Sequence, residues 1–420
     1  MTKMPLEGVR VIDLTRVWAG PLLTRILGDF GAEVIKVEPL FGRRLSSGTR
    51  TLARVLPDFP NGEFGERRWN RRGMFNDLNR NRLSLTLDLS QTPAVEIFKS
   101  LVKISDIVVE NYTPRVMSNF GLDYPVLKGL KEDIIMISMP GYGMTGPYRD
   151  YPAFGTNIEG ISGVASLMGY PGGPPNLLGV TWCDPVSGLH GVGAVLVALW
   201  HRDLTGQGQY IDLSMAETAA SVIGETIVGY SMNKRIPPHM GNRHPYMAPH
   251  GCYRCRGHDM WVVIAVSTDE EWRALCRAIG RPPWTKEPRW TDQLSRWENQ
   301  DDLDRLIEEW TIQHDHYEVM QILQAAGVAC GPVLTGMEVL NDPHLKERNF
   351  FFEMPHPDAG TRRYAGVPMK LSRTPATFRL PAPCLGEHND YILGQLLGLS
   401  KEEIAQLEQS KVIGNADPEM

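Results

Sequence analysis

Thr181-Trp182-Cys183-Asp184-Pro185-Val186-Ser187-Gly188 places one acidic side chain just before a proline and a following apolar run, Val192 to Trp200. Asp is a preferred helix N-cap and Pro is favoured at the first helical position, so the stretch predicts a helix start capped by Asp184. The same placement admits a second role. A carboxylate beside unpaired N–H groups and the positive end of a helix dipole is favoured in its ionised form. An ionised, partly desolvated carboxylate is a nucleophile toward an activated acyl group. Gly188, Gly191, Gly193 and Ala194 on the same helix let another backbone or a ligand come close. Spacing alone leaves both roles open.

Other chemistries find less support. Cys252-Tyr253-Arg254-Cys255 is a C-x-x-C without the second pair that a zinc site wants, and alternate strand positions beside an Arg account for it. The eleven His residues form no H-x-x-x-H pair, and no metal is expected. His388 reads as a helix-start or packing residue rather than a general base. The chain has no G-x-x-x-x-G-K-[ST] loop and no G-x-S-x-G elbow.

The elements that position Asp184 follow from periodicity. Val9 to Leu14 reads as a buried strand, Gly20-Pro21 opens a helix to about Phe30, and Glu33 to Glu38 is a second strand. That is a βαβ unit, a parallel pair with a right-handed crossover. Between the strands stands Thr15-Arg16-Val17-Trp18-Ala19-Gly20-Pro21, without the G-x-G-x-x-G of a dinucleotide site, which disfavours a nicotinamide dehydrogenase. Residues 40–75, rich in Arg and Gly, read as a long loop. Leu83–Leu89, Asp106–Glu110, Ile134–Ser138 and Tyr210–Ser214 add strands, with helices from Thr92 and from Met215 to about Met232. Strands alternating with helices predict an α/β fold, a doubly wound Rossmann-like sheet whose ligands gather beyond the carboxyl ends of its strands. After Leu14, Glu110 and Ser138 lie three such ends.

A Pro-, His- and Arg-rich stretch from Arg235 to His250 marks a boundary. Residues 1–234 are read as the first part of a large domain, 235–345 as linker and small α+β domain, and 346–420 as a return to the large domain. The 420 residues suit two or three domains, and 42% hydrophobic with 22% charged residues is ordinary for a soluble globular chain. A net charge of −6 gives no reason to expect nucleic acid or an anionic membrane. No uninterrupted apolar run reaches about 18 residues, so no membrane span is predicted, and the first residues lack a signal-peptide core. Six sparse cysteines suit a reducing cytoplasm.

Several stretches, in this order, resemble the family III CoA-transferases, the formyl-CoA transferase and carnitine CoA-transferase group. They are Leu6–Thr15, Ala19-Gly20-Pro21, Gly31–Glu38, Asn79–Arg82, Asp106–Asn111, Gly141-Tyr142-Gly143, Asp184 with its helix, Thr205–Gln209, Cys330–Val333 and Leu385–His388. Together they span about residues 6 to 410.

The resemblance implies that Asp184 attacks an acyl-CoA thioester to give an aspartyl anhydride and then an aspartyl-CoA thioester, from which an acceptor acid takes CoA. It places CoA contacts on Arg16, Val17, Trp18 and Ala19, on Leu78, Asn79 and Arg82, and on Asn111, with Tyr142 and Met215 near the reacting thioester. Arg16 and Arg82 suit phosphates. Backbone N–H groups near the helix start or at Gly141–Gly143 would steady an oxyanion. CoA thioesters are then substrates, and no prosthetic group is expected. The family fold implies two chains threaded as linked rings, each with a large domain built from both chain ends, as a homodimer or as a heterodimer with a homologous chain.

Two departures narrow the reading. Gly241 to His250 stands where some members carry a glycine-rich loop, which argues against formyl or oxalate chemistry. No His lies near Ala153–Asn157, where the related 2-methylacyl-CoA racemases use one. The aromatic and Met content around the site suggests succinyl-CoA as donor and a benzylsuccinate-like acceptor. A non-catalytic partner subunit of a heteromeric CoA-transferase and a 2-methylacyl-CoA racemase are the alternatives.

Overall fold

The computed structural model describes residues 3–40, 43 and 56–416. Much of the Arg- and Gly-rich stretch expected as a loop, residues 41–42 and 44–55, lies outside them; the rest of it forms short 3-10 turns and a helix at Gly73–Leu78. The chain divides into two compact units. The first joins residues 1–164, 177–228 and 347–420, and the second joins 165–176 and 229–346.

The first unit is built on a six-stranded parallel sheet. In chain order its elements are β1 (Arg10–Asp13), α1 (Ala19–Asp29), β2 (Glu33–Glu38), β3 (Arg82–Thr86), α2 (Thr92–Lys103), β4 (Ile107–Glu110), β5 (Ile135–Ser138), α3 (Gly155–Ile161), α4 (Cys183–Thr205), β6 (Tyr210–Asp212) and α5 (Met215–Ser221). The sheet order is β3-β2-β1-β4-β5-β6. The order reverses between β1 and β4, so the crevice that binds ligands in such sheets opens beyond Asp13 and Glu110.

Both faces of the sheet are covered, which is why its strands read as nearly continuous apolar runs. Successive residues point to opposite faces. Ile12, Ile35, Leu85, Val108 and Met136 face a core with Phe98 and Leu101 of α2 and with Ile392 and Leu393 from the chain's return. Val11, Val34, Ile107, Val109 and Ile137 face another with Leu23 and Leu27 of α1 and Val195 and Ala198 of α4. The C-terminal stretch closes the β3 side: Asn81 donates its N–H to the Leu380 carbonyl and Asp88 to that of Val412. His388 takes the packing role, accepting the Ser84 N–H at Nδ1 (3.2 Å).

Three local differences from the sequence reading have physical causes. The helix expected to run from Met215 to about Met232 breaks after Ser221 and resumes at Gly224; Val222 and Ile223 are β-branched and Gly224 adds backbone freedom at the same point. Near 391–396 the backbone forms a single π-helical stretch rather than an α-helix. And α4 is long and apolar enough, by length and composition, to cross a membrane. Counting uninterrupted apolar residues missed this, because its Gly, Ser and His residues break the run without making the helix polar.

The second unit packs an antiparallel sheet, β7 (His250–Arg254), β8 (Trp261–Ala265) and β9 (Ala329–Pro332), in that order, against α6 (Asp269–Ala278), α7 (Gln300–Thr311) and α8 (His316–Ala325). Trp272, Trp290, Leu303, Ile307 and Leu323 fill its core. Cys252 and Cys255 are free thiols on β7 and just beyond it, the second one buried.

Candidate active site

Asp184 is not the cap of its helix. Trp182 already has helical dihedrals (φ −61°, ψ −30°), so α4 starts at Cys183 and Asp184 stands in its first turn. Among the described residues no backbone N–H donates to its carboxylate. Its hydrogen-bond partner is the neighbouring thiol, Cys183 Sγ to Oδ1 at 3.8 Å, and the same sulfur donates to the Gly155 carbonyl at 3.1 Å. The Asp184 residue is 6% exposed.

Two close approaches hold the carboxylate in place, and both use glycine. At Gly155, the first residue of α3, a Cβ would lie 2.6 Å from Thr181 Cβ and 2.8 Å from Asp184 Oδ1. At Gly188, one turn beyond Asp184, a Cβ would lie 2.7 Å from the Ala19 carbonyl oxygen. Any other residue at either position would push a neighbour away. So α3 seats directly against the start of α4, and the first turn of α4 lies against the start of α1. Gly191 meets Leu23 in the same way, whereas Gly193 faces open space.

Burial raises the Asp184 carboxyl to about 6; the Cys183 thiol opposes the rise and the negative charge of Glu159 adds to it. Cys183 is itself pushed up to about 12, first by burial and then by the charges of Asp184 and Glu159. It remains a protonated donor at neutral pH. Asp184 is therefore a carboxylate at neutral pH, more basic than usual, next to a thiol that keeps its proton. Such a group can attack an acyl carbon.

Beyond the sheet, the loop after β1 is tied to the loop after β4. Asn111 accepts the Arg16 N–H (2.9 Å) and donates to the Arg16 carbonyl (2.8 Å). Val17, 60% exposed, has φ +66°, a left-handed conformation costly for a β-branched side chain. Its neighbour Trp18 packs, partly buried, on the core beneath α1, and Ala19 is buried. Tyr142 and Met215 pack with Ile158, Ala219 and Cys183, the residue that precedes Asp184. Tyr148 and Tyr151 stack on each other at 5.2 Å and meet the Tyr142 ring edge-on, and Phe154 just before α3 is open to solvent.

The structure thus packs Tyr142 and Met215 in the cluster of Cys183, sets the Ala19 carbonyl against Gly188 one turn beyond Asp184, and joins Arg16 to Asn111. It does not bring Leu78, Asn79 and Arg82 to that surface. All three are buried. The Arg82 guanidinium is spent on Asp13 (2.6 Å), on Asn79 and on the Pro21 carbonyl. The phosphate contact expected of Arg82 is not open in this arrangement, because both its Nη atoms are taken up by protein and its Nε, though without a partner, is buried. Burial alone would raise Asp13, but the charges of Arg82 and Lys36 and the hydrogen bonds of Thr15 hold it below the usual carboxylate range. Lys36 donates to the Thr15 carbonyl at 2.8 Å. This buried network braces the β1–α1 loop from behind.

Sequence reasoning missed two groups at the site. One is the Cys183 thiol, adjacent to Asp184. The other is Glu159, a lone acid in a short helix whose Gly155 lies four residues earlier on the same face; that isolation was its only signal.

Residues 6–389 match the CoA-transferase family III. Among the relatives, the chain is 34% identical to succinyl-CoA–D-citramalate CoA-transferase of Chloroflexus aurantiacus, over 97% of this chain and 98% of that one. It is 33% identical to the beta subunit of succinyl-CoA–L-malate CoA-transferase from the same organism, over 98% of this chain and 99% of that one. Among solved structures, a CAIB/BAIF family protein from Brucella suis superposes with a TM-score of 0.83 at 30% identity, covering 94% of this chain and all of that one. The chain is an enzyme of CoA-transferase family III.

Proposed function

We propose that the chain moves CoA from succinyl-CoA to a dicarboxylic acid through covalent intermediates on Asp184. One observation carries the reading: a basic, mostly buried carboxylate in the first turn of α4, seated against Gly155 and hydrogen-bonded by the Cys183 thiol. The donor follows the relatives, whose names specify succinyl-CoA.

The chemistry proceeds in four exchanges. An Asp184 oxygen adds to the thioester carbon, and the C–S bond breaks to give a mixed anhydride and CoA thiolate. The thiolate attacks the aspartyl carbon, releasing succinate and leaving an aspartyl-CoA thioester. The acceptor carboxylate displaces the thiolate to form a second anhydride. The thiolate then attacks the acceptor's acyl carbon, freeing the new CoA ester and the Asp184 carboxylate. No water enters, so the thioester's free energy is kept. Arg16, Val17, Trp18, Ala19 and Asn111 border the crevice where the CoA moiety is held, at the point where the sheet order reverses. Arg82, Asn79 and Leu78 serve from behind, bracing that loop. The exposed Tyr148, Tyr151 and Phe154 rings offer an apolar rim for a larger acceptor, of which a benzylsuccinate-like acid is one.

The reading includes a second copy of the chain, or a homologous partner, threaded with it as linked rings, and a cytoplasmic setting. The outward face of α4 supports the partner: Leu189, Leu196, Val197, Trp200 and Leu204 are all exposed, Trp200 by 68%. Exposed apolar patches of this kind mark contact surfaces. One relative is named as a subunit of a larger enzyme. Light scattering of the purified chain distinguishes a dimer from a monomer; a monomer with full activity defeats this part of the reading.

The mechanism is tested by mass spectrometry. Incubation with succinyl-CoA is expected to leave CoA or succinyl mass on the peptide containing Asp184, discharged by the acceptor acid. Asp184→Asn is expected to remove both adduct and turnover. Full turnover in that variant refutes the mechanism.

A further inference from the structure

Glu159 is 1% exposed, yet among the described residues no Lys, Arg or His pairs with it. Taking a carboxylate out of water without a cation is expensive, several kcal/mol even after relaxation. A buried carboxyl with no cation beside it calls for an explanation from its partners. Its partners are two backbone donors. Trp182 N–H reaches Oε1 at 3.0 Å and Leu178 N–H reaches Oε2 at 3.4 Å. Those two amides bracket the stretch that leads into α4. Trp182 is its N-cap residue, two positions before Asp184. Glu159 and Gly155 stand four residues apart, on one face of α3. That face therefore meets the start of α4 twice, once by the close approach of Gly155 and once through Glu159.

We propose that Glu159 is a positioning residue for Asp184: its two oxygens clamp the loop from Leu178 to Trp182, and its buried charge makes the bare Asp184 carboxylate less comfortable than the acylated one. The proposal rests on the covalent reading above. Acylation turns Asp184 from an anion into a neutral anhydride, so the first attack relieves repulsion with Glu159, and the last exchange, which frees the carboxylate, restores it. The charge thereby favours attack by Asp184, and the clamp sets the direction from which the attack comes. Glu159 touches neither CoA nor acid in this role. The titratable groups found around Asp184 are Glu159 and Cys183; the thiol stays protonated, so Glu159 is the one charge whose removal changes the setting.

The test compares wild type with Glu159→Gln and Glu159→Asp. Gln keeps the size but loses the charge, and it has one acceptor oxygen for two N–H donors. It is expected to lower kcat roughly 10–100-fold, on the scale of a small misplacement of a reacting group, with KM changed far less. It is also expected to move the acid limb of kcat/KM to lower pH. The same downward shift is expected in the Asp184 carboxyl titration, read without substrate by ¹³C NMR on Asp-labelled protein. Asp keeps the charge and is expected to keep the acid limb of wild type while losing part of kcat. Wild-type kcat and acid limb in Glu159→Gln overturn the proposal. Should Glu159→Gln fail to fold, an acid limb in Glu159→Asp displaced to that of a charge-free site overturns it as well. The adduct experiment on wild type separates the two ideas. No adduct on Asp184, with the carboxyl titration still shifted in Glu159→Gln, ends the covalent reading and leaves the coupling; an adduct with no shift ends the coupling alone.

Discussion

Gly155→Ala adds one methyl group where the structure leaves no room. The new Cβ would stand 2.6 Å from Thr181 Cβ and 2.8 Å from Asp184 Oδ1, whereas unstrained contacts begin near ~3.5 Å. Asp184 must therefore retreat by roughly 0.7 Å and Thr181 by roughly 0.9 Å, or α3 must lift by about 0.9 Å. Overpacking of this kind costs about 1–3 kcal/mol. The substitution also has a favourable side, since Ala in a helix is better than Gly by about 1 kcal/mol. The net expectation is a loss of roughly 0–2 kcal/mol. Activity should suffer more than stability, because a displacement approaching 1 Å of a reacting group lowers rate by up to about 10²-fold. Gly160, in the same helix, provides the control: a Cβ there meets nothing within 4 Å. Gly160→Ala is expected to raise the melting temperature, through roughly 0.5–1 kcal/mol, and to leave kcat unchanged. The assay is steady-state CoA transfer from succinyl-CoA beside thermal melts of the three proteins. If Gly155→Ala matches wild type in kcat and gains stability as Gly160→Ala does, the close seating of α3 on Asp184 is wrong.

Two further perturbations probe the frame around the site. Arg82→Met leaves Asp13 buried without its guanidinium partner and is expected to destabilise the chain by about 3–5 kcal/mol, the usual cost of breaking a buried pair; a melt within a degree of wild type speaks against that network. Burial raises Glu110, at the end of β4, to about 7, against the opposing hydrogen bond from the Tyr112 N–H. Its folded value lies above its unfolded value, so its favourable contribution is complete below about pH 4.5 and is lost as pH rises through about 7. Glu110→Gln is thus expected to gain up to about 3 kcal/mol over wild type at pH 8 and almost nothing at pH 4, in thermal melts at the two pH values; equal melts at pH 8 contradict it.

The sheet was legible because its strands are local: each is a short apolar run between turn residues, and parallel pairing follows from the helices between them. The start of α4 was legible to within a residue for the same reason, and so were Gly188 and Gly191, which admit α1, though not Gly193, which faces open space. What local pattern does not carry is the partner of a polar side chain. Arg82 and Asp13 stand 69 residues apart in sequence and 2.6 Å apart in space. The family resemblance assigned Arg82 to a phosphate; read with Asp13, Asn79 and the Pro21 carbonyl, it is a brace. The break after Ser221 was smoothed over because its apolar content continues across it. The outward face of α4 was invisible to a count of uninterrupted apolar residues.

The same distinction governs Asp184. As a cap, its carboxylate would have been satisfied by its own helix, ionised easily and left a weak nucleophile. One residue of register changes this. With α4 starting at Cys183, the backbone N–H groups do not reach the carboxylate, and its surroundings become a thiol, the edge of Gly155 and the charge of Glu159. All three leave the anion less stabilised than a cap would. If the proposed anhydride forms, a compound less stable than the thioester it comes from, the reaction gains from a nucleophile whose free state is raised in this way, since the climb to the intermediate is shortened by the same amount. Under the proposed covalent reading, the shift of helix start that defeats the capping role is also what leaves the carboxylate basic enough to attack.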